Sequence, residues 1–240
     1  MYTFEQHIAV SDFIRQKRTG FANSHPEIGV CLVEFDKSCY RDTLFTKFSL
    51  PFPDVLKSAG DKRRAEYLAG RYAATQLLQE VGSIGTVTIG ADRAPIWPIG
   101  LKGSISHTET WAIAIMTSQF SNINLGVDIE MFRPGIMMRI ASDFTTANER
   151  NVLAASHLPF ETALLITFSA KESLYKALYP IVQYMFGFEV AEIREINQHN
   201  QSVTLELTRQ LTPSLPVGYC ITGNYLIGDD GVTTMIIVSA

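Results

Sequence analysis

Asp128 and Glu130 stand two residues apart in the stretch INLGVDIEMF. There Ile123, Leu125, Val127 and Ile129 alternate with Asn124, Gly126, Asp128 and Glu130. A period of two predicts a β-strand, which points both carboxylates to one face. Gly126 lies on that face and leaves room for a ligand to approach the backbone. Two carboxylates crowded together at neutral pH repel unless a cation stands between them. A hard divalent ion such as Mg²⁺ takes oxygen ligands of this kind, usually alongside substrate phosphates. A solvated sheet face carries the same pattern with no ion at all, so the pair needs support from elsewhere.

A second constellation is FSAKESLYKA, Phe168 to Ala177. On a helix of about 100° per residue, Leu164, Phe168, Tyr175 and Tyr179 fall in one narrow arc. Glu172 lands inside it, Lys171 beside it next to Leu178, and Lys176 at its margin. Burying an ionised group without a partner costs on the order of several kcal/mol, so these charges pair with one another or face a charged ligand. A surface pair of Glu172 with Lys176, four residues apart, explains two of the three charges. Lys171 is left over. A carboxylate between two lysines suits a place where metal and phosphate meet.

The third constellation is basic. Arg64 and Arg71 are seven apart on the helix predicted for Asp61 to Gly82, hence on one face, with Leu68 and Leu78 flanking them. Arginine suits bidentate phosphate contacts. The stretch GLKGSISHT adds Lys102, Ser104, Ser106 and His107 beside Gly100 and Gly103, where the backbone can approach an anion closely. Taken singly, a snorkelling Arg71 and a turn histidine at 107 are the plainer readings. There is no GxxxxGK[ST] or GxGxxG phosphate loop. Ser106 and His107 are adjacent and no GxSxG elbow occurs. With no internal nucleophile, a phosphoryl or phosphoester group would pass directly to a hydroxyl of another molecule.

The elements that must hold these residues are mixed. The helix from Asp61 is followed by a Pro/Gly-rich loop, GADRAPIWPIGLKGSISHTE, and a strand, TWAIAIM. Helical patterning returns at Thr145 to Ala155 and at Glu161 to about Tyr179. Two hairpins follow, VAEIREI with SVTLELT and GYCITGNYLI with VTTMIIVS. Without the alternation of a doubly wound sheet, the fold expected is α+β, as two similar-sized lobes, 1–120 and 121–240.

Composition narrows the class. The apolar share of 46% suffices for a core. A net charge of −4 argues against a general nucleic-acid binder. Cys31, Cys39 and Cys220 include no CxxC pair and cannot close a disulfide set, so neither a disulfide framework nor a zinc site is expected. MYTFEQHIAV lacks the features of a signal peptide. The charge-free stretch 111–127 is too polar to span a membrane. A soluble cytoplasmic chain is the expectation.

GVDIE followed about forty residues later by FSAKESLYKA resembles the paired signature of the 4′-phosphopantetheinyl transferases. RRAEYLAGRYAA and PIWPIGLKGSISHT look like the subgroup typified by the enterobactin synthetase component D enzymes. The resemblance implies transfer of the phosphopantetheine arm of coenzyme A to a serine of an apo acyl or peptidyl carrier protein, with release of 3′,5′-ADP. It implies that Asp128, Glu130 and Glu172 hold Mg²⁺ and that Glu172 deprotonates the serine, directly or through water. Lys176 and Lys171 would hold the pyrophosphate. Arg64, Arg71, Ser106 and His107 would grip the nucleotide end, including its 3′-phosphate. It further implies a pseudo-dimer of two α+β lobes with the active site in the cleft between them. Nucleotide-end contacts would lie in the first lobe, and the metal site and signature helix in the second, the chain acting as a monomer.

Two departures stand out. Phe168 replaces a frequent tryptophan, keeping an aromatic wall but no indole N–H. FTTANER resembles a region with a further acid, which makes Glu149 a secondary candidate. In LYPIVQYMFGF, Tyr184, Met185 and Phe186 are either core or a docking patch for the carrier. The pathway is open between siderophore or other nonribosomal peptide synthesis and polyketide or fatty-acid synthesis. Competing readings are a Mg²⁺-dependent CoA or nucleotide pyrophosphohydrolase and a CoA-binding regulatory module without turnover.

Overall fold

The computed structural model describes residues 1–90 and 92–239. The chain divides into two compact units, Met1–Asn122 and Ile123–Ala240. Each is an α+β lobe built on a five-stranded antiparallel sheet with one long helix across it.

In the first unit the strands are β1 (Tyr2–Ile8), β2 (Ile14–Ala22) and β3 (His25–Phe35), followed by the short helix α1 (Thr43–Lys47) and the long helix α2 (Asp61–Glu80). A two-residue hairpin, β4 (Thr88–Ile89) with β5 (Pro95–Ile96), leads to β6 (Leu101–His107) and β7 (Trp111–Ser118). The sheet order is β1-β2-β3-β7-β6. α2 begins one residue after its cap, Gly60, and ends before Gly82, whose φ of 70° stops the helix. Its Ala65, Leu68, Ala69, Ala73 and Leu77 are buried against the sheet.

A loop reading of GADRAPIWPIGLKGSISHTE is corrected here, because LKGSISH is β6. Alternation puts Ser104 and Ser106 on one face and Ile105 and His107 on the other. Gly103 serves packing and not an anion: a Cβ there would lie 2.1 Å from the Ile115 carbonyl oxygen and 2.6 Å from the Trp97 ring.

In the second unit, β8 (Ile123–Met131) is followed by α3 (Ile136–Phe144), α4 (Ala147–Ala154) and α5 (Phe160–Val182). Four strands then run β9 (Ala191–Asn197), β10 (Ser202–Leu207), β11 (Cys220–Ile227) and β12 (Gly231–Ser239). The sheet order β8-β12-β11-β10-β9 brings the last strand beside the first, with Thr234 opposite Asp128. Both expected hairpins are present, as β9–β10 and β11–β12. The helical stretch expected near Thr145 is α4, started by a capping box between Thr146 and Glu149. α3 precedes it, entered through Gly135 at a φ of 73°.

α5 crosses β8 and β12 so closely that a Cβ on Gly126 would lie 1.8 Å from the Ser173 carbonyl oxygen. Gly126 therefore makes room for a helix, not for a ligand. Leu125, Val127 and Ile129, on the opposite face of β8, are buried as well. No described helix is long and apolar enough to cross a membrane.

Candidate active site

In the second unit the site is set by how α5 is rotated over the sheet. Ser169 and Ser173 place their hydroxyls 2.9 and 2.7 Å from the Thr234 hydroxyl, and Ser173 also donates to the Thr234 carbonyl at 3.1 Å. These buried bonds pin the small-residue side of the helix to β12. Leu164, Leu174 and Leu178 enter the core. What remains open is one half-buried stripe: Phe168, Glu172, Tyr175, Lys176 and Tyr179. Glu172 and Lys176 thus sit on the one open side of an otherwise enclosed helix, as charges require.

Lys176 reaches back to β8, donating to Asp128 Oδ1 at 2.7 Å and to the Val127 carbonyl at 3.0 Å. Asp128 is only 3% exposed. Burial, and after it repulsion from Asp128, push the Glu130 carboxyl up to about 7; Glu172 adds to this while Lys176 and Arg133 oppose it. Glu172 is raised too, mainly by burial, with Lys176 lowering it and Asp128 raising it. The three acids and Lys176 therefore share one electrostatic neighbourhood. Among the described residues, no group of three His, Cys, Asp or Glu side chains has the arrangement of a metal site. The Lys176 ammonium lies 2.7 Å from Asp128 Oδ1.

Lys171 does not join Lys176. Five residues separate them, about 140° around a helix, and Lys171 lies with Leu164 and Leu178 on the core side. Its ammonium donates to the Phe144 carbonyl at 2.8 Å and the Phe188 carbonyl at 3.3 Å, and pairs with Glu149 at 2.7 Å. Burial pulls its pKa down, against the pull of Glu149. Glu149 also accepts the backbone N–H groups of Thr146 and Ile193. Lys171, expected at the pyrophosphate, thus stands in a buried ion pair away from the open stripe, and Glu149 is its partner rather than a further open acid.

Beside Glu172 lies a cavity of ≈ 260 Å³, walled by Tyr175, Met185, Phe186 and Phe188. Tyr175 packs on Phe186 with centroids 4.9 Å apart, and Phe168 lies 5.4 Å from Phe144 and 5.5 Å from Phe188. Phe168 thus packs in an aromatic cluster with Phe144 and Phe188. Phe186 is partly buried, whereas Met185 is 82% and Tyr184 45% exposed. A plain core reading fails for those two.

The first unit holds a second, basic cavity of ≈ 120 Å³, lined by Arg63, Glu66, Tyr67, Arg71, Arg93 and His107 among others. Arg71 is 8% exposed, donates to the Thr88 carbonyl at 3.1 Å, and lies 4.5 Å over the Tyr67 ring. No carboxylate among the described residues pairs with it, and burial lowers its pKa. A buried guanidinium without an acid partner favours an anionic ligand. Arg63 lies 2.9 Å from His107 Nε2.

Two expected residues lie elsewhere. Arg64 is spent on the Leu56 and Lys57 carbonyls and on Asp42, because the turn at 54–57 presents carbonyl oxygens beside it. Ser106 is buried on the opposite face of β6 from His107, as strand alternation demands. Lys102 likewise donates to the Ser121 carbonyl at 2.6 Å. Arg63, Glu66 and Arg93 take their places. The spacing Arg63–Glu66–Tyr67–Gly70–Arg71 is a helix-face signal that points to the first two.

Residues 52–117 match the family model of the 4′-phosphopantetheinyl transferase N-terminal domain, and residues 124–227 match that of the 4′-phosphopantetheinyl transferase superfamily. The chain is 43% identical over 177 residues to enterobactin synthase component D of Salmonella typhi, covering 72% of each chain. It is 40% identical over 148 residues to enterobactin synthase component D of Escherichia coli, covering 60% of this chain and 68% of that one. It is 30% identical over 137 residues to 4′-phosphopantetheinyl transferase PptT of Mycobacterium tuberculosis, covering 55% and 58%.

Proposed function

Because the chain belongs to the 4′-phosphopantetheinyl transferase superfamily, we propose that it moves the phosphopantetheine arm of coenzyme A to a serine of an apo acyl or peptidyl carrier protein, with Mg²⁺ and with release of 3′,5′-ADP. The observation that carries this reading is the open stripe of α5, where Glu172 and Lys176 stand over the acids of β8 beside an apolar cavity.

The donor set fits a hard cation. Asp128, Glu130 and Glu172 are oxygen donors, and burial together with the charge of Asp128 raises the Glu130 carboxyl. These three would hold Mg²⁺, which when bound supplies charge neutralisation at the diphosphate. The chain's own residues do the rest. Glu172, raised by burial, is a competent acceptor for the serine proton. The serine oxygen attacks the β-phosphorus of coenzyme A. The bond from that phosphorus to the bridging oxygen breaks, leaving 3′,5′-ADP and a new phosphodiester on serine. Lys176 neutralises phosphoryl oxygens where charge builds. The apolar cavity suits the pantetheine chain. In the first unit, Arg71, which has no carboxylate partner among the described residues, with Arg63, Arg93 and His107 suits the nucleotide end and its 3′-phosphate.

Relatives named for enterobactin synthesis point to carriers of siderophore assembly as the substrate class. The test is intact-mass measurement of apo carriers from nonribosomal peptide, polyketide and fatty-acid systems after incubation with the protein, Mg²⁺ and coenzyme A. A gain of one phosphopantetheine is expected, greatest on a siderophore carrier. Consumption of coenzyme A with no mass gain on any carrier would favour a hydrolase and overturn the reading.

A further inference from the structure

Glu66 has no role in the chemistry above, yet its place is unusual. It projects from α2 into the basic cavity, is 9% exposed, and makes no side-chain hydrogen bond. Its nearest charged neighbours are Lys62 Nζ and His107 Nδ1, each at 3.9 Å. Lys62 is held away from it by Glu109 at 2.9 Å. On the other side of the imidazole, Arg63 Nη1 lies 2.9 Å from Nε2. A guanidinium can only donate, so Nε2 accepts and the ring proton sits on Nδ1, facing Glu66. The imidazole thus stands between a donor and a carboxylate.

We propose that Glu66 is a positioning residue: it stabilises the His107 imidazolium from the Nδ1 side when an anion takes the Nε2 side. In the unliganded chain, Arg63 occupies Nε2. When a phosphate draws Arg63 and Nε2 to itself, His107 gains a second proton, donating from Nε2 to the anion and from Nδ1 to Glu66. The other charged and titratable groups facing this point are Lys62, Arg63, Tyr67 and Arg71 of α2, Arg93 of the β4–β5 connection, and Glu109 and Lys37. Glu109 is engaged by Lys37 and Lys62, so Glu66 is the carboxylate placed to offset the added charge. This inference rests on the reading of the cavity as the nucleotide-end site.

The test uses the full chain, wild type and Glu66→Gln, with Glu66→Met as a second variant and thermal melts to confirm folding. Two-bond ¹H–¹⁵N spectra of the imidazoles, assigned with His107→Gln, report which ring nitrogen carries the proton. Without ligand, wild type and variants should both show the Nδ1–H form that Arg63 imposes. With 3′,5′-ADP as probe, wild type should show an imidazolium and the variants a neutral ring. Their affinity for 3′,5′-ADP should fall about fivefold, the loss of one charge-assisted hydrogen bond, with 5′-AMP binding unchanged. Identical His107 spectra in wild type and folded variants with 3′,5′-ADP bound overturn the proposal. Equal binding of 3′,5′-ADP and 5′-AMP by wild type would instead refute the nucleotide-end reading, while a pH titration of the unliganded His107 ring still decides the role of Glu66, which requires the imidazolium to form at lower pH in the variants.

Discussion

Lys171 Nζ lies 2.7 Å from Glu149 Oε1, with the two side chains 4% and 1% exposed. The pair joins the middle of α5 to the capping box of α4, and the lysine's bonds to the Phe144 and Phe188 carbonyls add two more segments to the junction. Removing one partner leaves the other charge enclosed. Lys171→Met should therefore cost about 3–5 kcal/mol, read by urea unfolding. Lys171→Met with Glu149→Gln should recover much of that. A lysine whose task was to bind phosphate would behave in the opposite way, losing affinity for coenzyme A at unchanged stability.

Glu172 should separate differently. Its side chain stands on the open stripe and ties no segment together. Glu172→Gln should lower kcat about 10²–10⁴-fold, the usual contribution of a positioned proton acceptor, with the melting temperature within a few degrees of wild type. Near-normal kcat in the variant would remove Glu172 from the proton transfer and leave it at most a ligand.

The crowding of acids has a signature in pH. Burial and Asp128 raise the Glu130 carboxyl from 4.5 to about 7. Between those values the folded chain keeps a proton that the unfolded chain has released. Stability from this group is therefore present below about 4.5 and is lost as pH rises through about 7. The loss is at most about 3 kcal/mol. Glu130→Gln should flatten the slope and melt higher than wild type at pH 8. Mg²⁺ should raise the wild-type melting temperature more at pH 8 than at pH 5, since it relieves the same repulsion. A pH-independent difference between wild type and variant would mean that the acids do not crowd as described.

How much of this is legible in the residues alone depends on the range of the cause. β8 and the two C-terminal hairpins announce themselves because alternation is local. The rotation of α5 does not, because the helix is buried on all sides but one. Ser169, Ser173 and Ala177 mark its closest approach to the sheet, although a hydrophobicity wheel assigns them to solvent. The partner of Lys171 lies 22 residues away at Glu149 with no local sign. β6 is obscured by its glycine and serines, whose role appears only when Trp97 covers Gly103. Read as a strand, the same stretch would have separated Ser106 from His107 at once.

Gly126 tests the helix–strand contact directly. A methyl group there meets the Ser173 carbonyl oxygen at 1.8 Å and the Ala177 nitrogen at 2.8 Å, both backbone atoms that cannot rotate aside. Gly126→Ala should push α5 off β8 and cost at least about 1–3 kcal/mol. Activity should fall with it, because the hold of Lys176 on Asp128 spans the same gap. Unchanged stability would show that the room at 126 is free for a ligand after all.

Exposed Met185 lines the apolar cavity beside Glu172, and exposed Tyr184 precedes it in the chain. Exposed methionine and tyrosine at the mouth of a reaction site offer an adaptable surface to a second protein. Met185→Glu places a charge on that surface without touching the packed Phe186. It should raise the KM for the carrier about tenfold, the scale of one interface residue worth more than about 1 kcal/mol. KM for coenzyme A and kcat at saturating carrier should stay near wild type. If KM for coenzyme A rises instead, the side chain serves the pantetheine cavity; if neither constant moves in a folded variant, the carrier approaches from another side.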